Sequence, residues 1–201
     1  VEITQIKTGI MPHGSRISID GTTHYSVAMM SGELFEIDAL DLSVKRILSL
    51  DNNSNYRNAM HHSKVKPTWV TPHPNGKKLY IAGNGSDEIF VVDLESFSVE
   101  DKLSTGKGPY NLAISPDGKT LLATLKSEGA VSIWSLKNNK LLKKIKNTTS
   151  IPHGVVISPD NKYAFVSVEG VGGEPGKVDV INLETLSLQG SINVGKQAGG
   201  I

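Results

Sequence analysis

The chain has 201 residues, 38% of them hydrophobic, and sets 21 Lys+Arg against 20 Asp+Glu for a formal net charge of +1, so it has an ordinary globular composition and no charge-driven partner is implied. Aromatic residues make up 5% and no basic run occurs, which argues against a nucleic-acid surface. Cysteine is absent, excluding disulfides, zinc-thiolate sites and covalently attached c-type heme within these residues, and no stretch approaches the roughly eighteen apolar residues of a membrane span.

Residues 1–9 alternate apolar and polar, which predicts the outer strand of a blade whose first three strands lie elsewhere. The chain opens at Val1 rather than methionine and shows no signal peptide, so an upstream segment, processed away or left out, is expected. From Pro12 a unit recurs: a proline opens a short apolar strand, and a tight turn follows eight residues later. The four copies open at Pro12, Pro67, Pro109 and Pro152, with turns at Asp20-Gly21, Asn75-Gly76, Asp117-Gly118 and Asp160-Asn161. Openings lie 55, 42 and 43 residues apart, and a period near forty made of strands predicts an all-β fold, a β-propeller of four-stranded antiparallel blades.

The boundaries follow. A first complete blade is predicted over 10–50, a polar inserted loop over 51–66, and further blades over 67–106, 107–147 and 148–195. The last blade carries a glycine-rich bulge, 169–176, that cannot continue a ladder. Residues 196–201 resemble the start of another unit, so at least one further blade is expected; the rival is four blades completed by self-association through open edges. Asp38, Asp93 and Asn182 end the third strands and are expected to bond the turns that follow.

Opening proline, Ser-Pro-Asp-Gly-Lys turn, second strands such as Leu121-Leu122-Ala123-Thr124 and third strands such as Val178-Asp179-Val180-Ile181-Asn182 together resemble the YVTN family of seven-bladed propeller repeats over nearly the whole chain. The group is similar to the propellers of nitrous-oxide reductases and d-type heme nitrite reductases. The resemblance implies four blades of a seven-bladed ring, and periplasmic or extracellular placement. Fold alone settles no chemistry.

Propeller topology sorts the six histidines between two faces. His13 and His153, each in a Pro-His-Gly triplet, and His61-His62 in the insert belong to the mouth of the central channel; His24 and His73 belong to the opposite face and read as surface residues. Four imidazoles at one mouth suit a copper or zinc ion, with hydrogen-bonded channel residues and a solvated loop as the plainer alternative. The histidine doublet and triplets resemble elements of the nitrous-oxide reductase copper centre, although that family has more channel histidines and a cysteine-bearing domain absent here. Trp69 and Tyr110 stand at, or one beyond, the position of His13 and are candidates for touching a ligand at the mouth, with core packing as the alternative. Glu33, Glu169 and Glu174 lie on mouth-side loops, and Trp134 is expected in the core.

Two functional expectations follow. The first is a binding or scaffolding propeller, exported or on the cell surface, that holds a protein or small-molecule partner at the loop face. The alternative is the propeller of a metal-dependent, copper-type oxidoreductase using His13, His61, His62 and His153. A lactonase-like hydrolase is weaker, because it would need a ring of carboxylates at the mouth that these blades do not supply.

Overall fold

A computed structural model describes residues 4–51 and 62–201. Alternation along the strands decides the architecture, because successive side chains leave a strand on opposite sides. In the second blade Ile81 and Phe90 point toward the blade before, while Tyr80, Ala82 and Ile89 point toward the blade after. Both faces of a middle blade are therefore covered, and its two central strands read as nearly continuous apolar runs.

Among the described residues sixteen strands form four antiparallel sheets in simple sequential order, with no helix. Blade one is β1 (Pro12–Ile17), β2 (Thr23–Ala28), β3 (Glu33–Asp38) and β4 (Val44–Ser49). Blade two is β5 (Pro67–Pro72), β6 (Lys78–Gly83), β7 (Glu88–Asp93) and β8 (Ser98–Ser104). Blade three is β9 (Pro109–Ile114), β10 (Thr120–Leu125), β11 (Ala130–Ser135) and β12 (Lys140–Lys146). Blade four is β13 (Pro152–Ile157), β14 (Tyr163–Val168), β15 (Lys177–Asn182) and β16 (Ser187–Asn193). The inner strands pack in succession, β1 on β5, β5 on β9 and β9 on β13.

Among the described residues the core is three slabs, one in each seam between blades, and a smaller cluster of Ala28, Phe35 and Ile37 on the open face of blade one. Polar clamps close the same seams. Between blades one and two, Arg46 stacks on Phe97 at 4.2 Å, pairs with Glu36 and donates to the carbonyl of Leu94 at 3.0 Å. Between blades three and four, fully buried Asp179 accepts from Asn147 Nδ2 at 3.0 Å, Thr148 N at 2.9 Å and Thr148 Oγ1 at 2.5 Å.

The turn motif now has a physical account. Ser115 Oγ donates to Asp117 Oδ1 at 2.6 Å and accepts from Thr120 N at 2.9 Å, while Asp117 Oδ1 accepts from Lys119 N at 3.1 Å. The same bonds recur at Ser18 with Asp20 and at Ser158 with Asp160. Blade two replaces the serine with His73, whose Nδ1 accepts from Asn75 N at 3.1 Å and whose Nε2 donates to Gly118 O at 3.0 Å across the seam. Asp38, Asp93 and Asn182 bond the turns after the third strands as expected.

Two irregularities recur in all four blades. The residue before each opening proline has positive φ: Met11 at 59°, Lys66 at 47°, Gly108 at 66° and Ile151 at 67°. Just after the proline, each inner strand shifts register against its neighbour. For Ile151, branched at Cβ, the left-handed region is unfavourable, so packing must hold it there. A bulge re-aims the side chain it carries. Kink and bulge together turn His13, Tyr110 and His153 toward the mouth and set Thr68, after Pro67, into the seam behind them.

The inner strands thus begin at their prolines, earlier than the apolar runs suggest. Residues 4–9, predicted as an outer strand, carry no strand pairing, and Ile6 packs on Ala28, Phe35 and Ile37. Residues 196–201 are likewise unpaired, and Ile201 lies against Gly154 at the inner edge of blade four.

Candidate functional site

The residues after the four opening prolines are His13, Thr68, Tyr110 and His153. Three of them meet. Tyr110 stands between the histidines, its hydroxyl 3.1 Å from His13 Nε2 and its ring centroid 5.4 Å from that of His13 and 4.6 Å from that of His153. The fourth, Thr68, is fully buried and works from behind. Its carbonyl accepts from His13 Nδ1 at 2.7 Å, and its hydroxyl donates to Tyr110 O at 2.8 Å. With the Nδ1 proton held on a carbonyl, Nε2 of the neutral imidazole becomes the acceptor and the Tyr110 hydroxyl the donor.

A second tier comes from the residues that follow the second strands. Lys126 follows β10 and Glu169 follows β14, and they pair at 3.2 Å. The Lys126 ammonium lies 4.3 Å from the centroid of the Tyr110 ring, and Glu169 Oε1 lies 3.5 Å from His153 Nε2. Burial, reinforced by the Glu169 charge, pushes the Tyr110 phenol above its ordinary value.

Burial first, then the nearby Lys126 charge, holds His153 below the usual imidazole value, and Glu169 opposes both without prevailing. Glu169 is therefore the ion partner of Lys126, with His153 a neutral neighbour at pH 7. His153 Nδ1 is buried without a hydrogen-bond partner. Because the folded value is depressed, the stability linked to His153 is present above the ordinary imidazole value. It is lost as pH falls through the lower folded midpoint. A histidine NMR titration should place the His153 midpoint below that of a free imidazole. Lys126→Met should raise the midpoint and Glu169→Gln should lower it; movement in the opposite directions would refute this charge assignment.

Trp69, one position beyond the mouth residues, packs on the slab between blades two and three, as core packing required, and its other side faces blade one. Its Cε3 is placed so that a Cβ on Gly14 would sit 2.9 Å away. Arg16 of β1 stacks on the indole, with its guanidinium carbon 4.2 Å from the ring centroid. Trp69 Nε1 is buried without a partner.

Of the residues singled out in sequence, the structure brings His13, Tyr110 and His153 together and sets Trp69 beside them. His62 is exposed and is joined to this cluster by no hydrogen bond or ion pair among the described residues. His61 lies outside the described residues. Among the described residues no three His, Cys, Asp or Glu side chains come together as a metal-holding group. Glu169 belongs to the site, whereas Glu174 accepts from Thr149 Oγ1 at 3.0 Å and Val171 N at 3.3 Å to tie the 169–176 bulge, and Glu33 borders a cleft with Lys7 and Phe35. Lys126 escaped the sequence reading. The signal was present, since it holds in blade three the place that Glu169 holds in blade four.

Comparisons with known proteins agree with this architecture. The family model described as "Lactonase, 7-bladed beta-propeller" matches residues 18–159. The protein transport protein SEC31 of Yarrowia lipolytica is 29% identical over 120 residues, covering 57% of this chain and 10% of that protein. Antigen Lp49 of Leptospira interrogans is 29% identical over 103 residues, 45% of this chain and 23% of that protein. Protein groucho of Drosophila melanogaster is 33% identical over 90 residues, 43% of this chain and 12% of that protein. The chain thus spans under a quarter of the length of these curated relatives. Kuenenia stuttgartiensis hydrazine synthase superposes with a TM-score of 0.82 over 97% of this chain and 53% of that one, at 23% identity, a likeness of fold.

Proposed function

We propose that this chain, which belongs to the lactonase, 7-bladed beta-propeller family, contributes the part of such a ring that binds a small polar ligand at the channel mouth. His13, Tyr110, Lys126, His153 and Glu169 form the contact set. One observation carries the reading: residues 97 positions apart in sequence, His13 and Tyr110, share a 3.1 Å hydrogen bond at the entrance, held from behind by a buried threonine. Such convergence of polar groups on a pre-formed opening is what a ligand site requires.

Tyr110 hands its proton toward His13 Nε2, so the pair can give or take a proton at the mouth, while Lys126 supplies positive charge beside the phenol. A ring of carboxylates is not part of this set, because Glu169 is its one acid. The family's description supplies the first probe. Titration of the protein with γ-butyrolactone, followed by Tyr and His side-chain NMR signals, should shift Tyr110, His13 and His153. Tyr110→Phe should weaken the response by up to about tenfold, the worth of one hydrogen bond. Shifts confined to other residues, or a response unchanged in Tyr110→Phe, would remove the mouth as the binding site.

A copper-type metal centre is the second reading, favoured by one observation. His13 Nδ1 is anchored on the Thr68 carbonyl at 2.7 Å, the arrangement that presents Nε2 of a metal-ligating histidine. His153 and the doublet His61-His62 complete that proposed set. Elemental analysis after purification without chelators that gives less than about a tenth of an equivalent of copper, zinc or iron would eliminate it. Export to the periplasm or cell exterior is part of the proposal and rests on the repeat resemblance. Fractionation of the native host that finds the protein in the cytosol would overturn it.

A further inference from the structure

The protein contains two arginines stacked on aromatic rings among its described residues, and they differ in one respect. Arg46 lies 4.2 Å from the Phe97 centroid and is satisfied all round its edge: Nε and Nη2 meet the Glu36 carboxylate, while Nη1 and Nη2 reach the carbonyls of Glu95 and Leu94. Arg16 lies at the same 4.2 Å from the Trp69 centroid, yet its side chain makes one hydrogen bond, Nη1 to Ser15 O at 2.9 Å, and no ion pair among the described residues. The ring desolvates one face of the guanidinium, and burial lowers its affinity for its proton relative to a free arginine. Arg16 is an exposed residue, and its Nε and Nη2 make no hydrogen bond among the described residues. That fork matches two oxygens of one carboxylate.

Its position fits a ligand entering from the mouth. Arg16 stands three residues along β1 from His13, and its stacking partner Trp69 adjoins Thr68, which holds both His13 and Tyr110. We infer that Arg16 and Trp69 form a carboxylate subsite in the channel, beside the His13-Tyr110 pair, and that the ligand is a small organic acid. A ligand carboxylate takes at Arg16 the place that Glu36 takes at Arg46. The inference rests on the channel-mouth reading, which it extends by naming the chemical class of the ligand.

The test uses Trp69 as reporter. The protein is titrated with succinate at constant ionic strength, and indole emission is followed, with Trp69→Phe as the blank for Trp134. A saturable change is expected. Arg16→Gln should move its midpoint at least tenfold higher, and Arg16→Lys, which keeps charge but loses the planar fork, should fall between. An unshifted midpoint in Arg16→Gln, or a response reproduced by sodium chloride alone, overturns the subsite. Inorganic phosphate saturating at lower concentration than succinate overturns the carboxylate assignment. Tyr110→Phe separates the two readings: loss of the response with Arg16→Gln but not with Tyr110→Phe keeps the subsite and sinks the mouth set, and the converse pattern does the reverse.

Discussion

Phe90→Ala is expected to destabilise the protein by about 3–5 kcal/mol, the cost of removing a large aromatic side chain from a core that closes only partly behind it. Phe90 is fully buried in β7 and sits in the slab between blades one and two, with Val27, Leu34, Ile81 and Val92 in the same cluster. Its ring also lies under the Lys102 ammonium, 4.6 Å from the centroid, so a contact on the outer side goes with it. The loss should be local. Each blade touches its neighbours through its own slab, and a repeat array responds to a defect chiefly through nearest-neighbour terms. Amide exchange should therefore quicken in β2, β3, β6 and β7 while β10, β11 and β14 keep their protection. A denaturation midpoint shifted by less than about 1 kcal/mol, or equal loss of protection in all four blades, would contradict this account.

That modularity explains why the mouth is built as it is. The slabs fix the blades, and nothing in them needs a left-handed residue before each opening proline. Such a conformation costs about 1–3 kcal/mol in a non-glycine residue and persists only where its surroundings impose it. It recurs at Met11, Lys66 and Ile151, with a glycine in that place at Gly108, and together with the register shift behind each proline it turns His13, Tyr110 and His153 onto one opening and Thr68 into the seam behind them. Part of the strain sits at the entrance, where it orients His13 and His153, and the apolar seams bear the stability.

The same division decides what could be read in advance. Blade three was legible from Pro109 to Lys146, because opening proline, Asp-Gly turn and alternating apolar residues are local signals with local causes. The face on which His13 and His153 emerge was legible too, since it follows from strand direction alone. Thr68 was invisible. Its part depends on a carbonyl and a hydroxyl that reach strands 55 and 42 positions away, and a lone threonine carries no such mark. Lys126 was hidden because its partner Glu169 belongs to the next blade, and the end of a second strand carries no turn or proline to mark it as a repeat position. The clamp of Asp179 with Asn147 and Thr148 was obscure for a similar reason: Asp179 alternates like an outward residue, yet the neighbouring blade buries it completely.

Gly14→Val is expected to destabilise the protein by about 2–3 kcal/mol and to dismantle the entrance at the same time. A Cβ at Gly14 would lie 2.8 Å from Trp69 Cα and 2.9 Å from Trp69 Cε3, with the Thr68 carbonyl oxygen closer still. Two of those three atoms are backbone, so β1 must move away from β5 rather than a side chain swing aside. The movement breaks the His13 Nδ1 bond to Thr68, frees Nε2 from its fixed direction and lifts Arg16 off the indole. Gly190→Ala is the control, because a Cβ there meets no atom within 4 Å. In the variant the His13 ring signals should broaden or shift, the Trp69 emission should move toward that of an exposed indole, and both the lactone and the succinate responses should vanish. Retention of the His13 and Trp69 signals would mean that the seam between β1 and β5 can open without disturbing the site, and the positioning role given to Thr68 would fall with it.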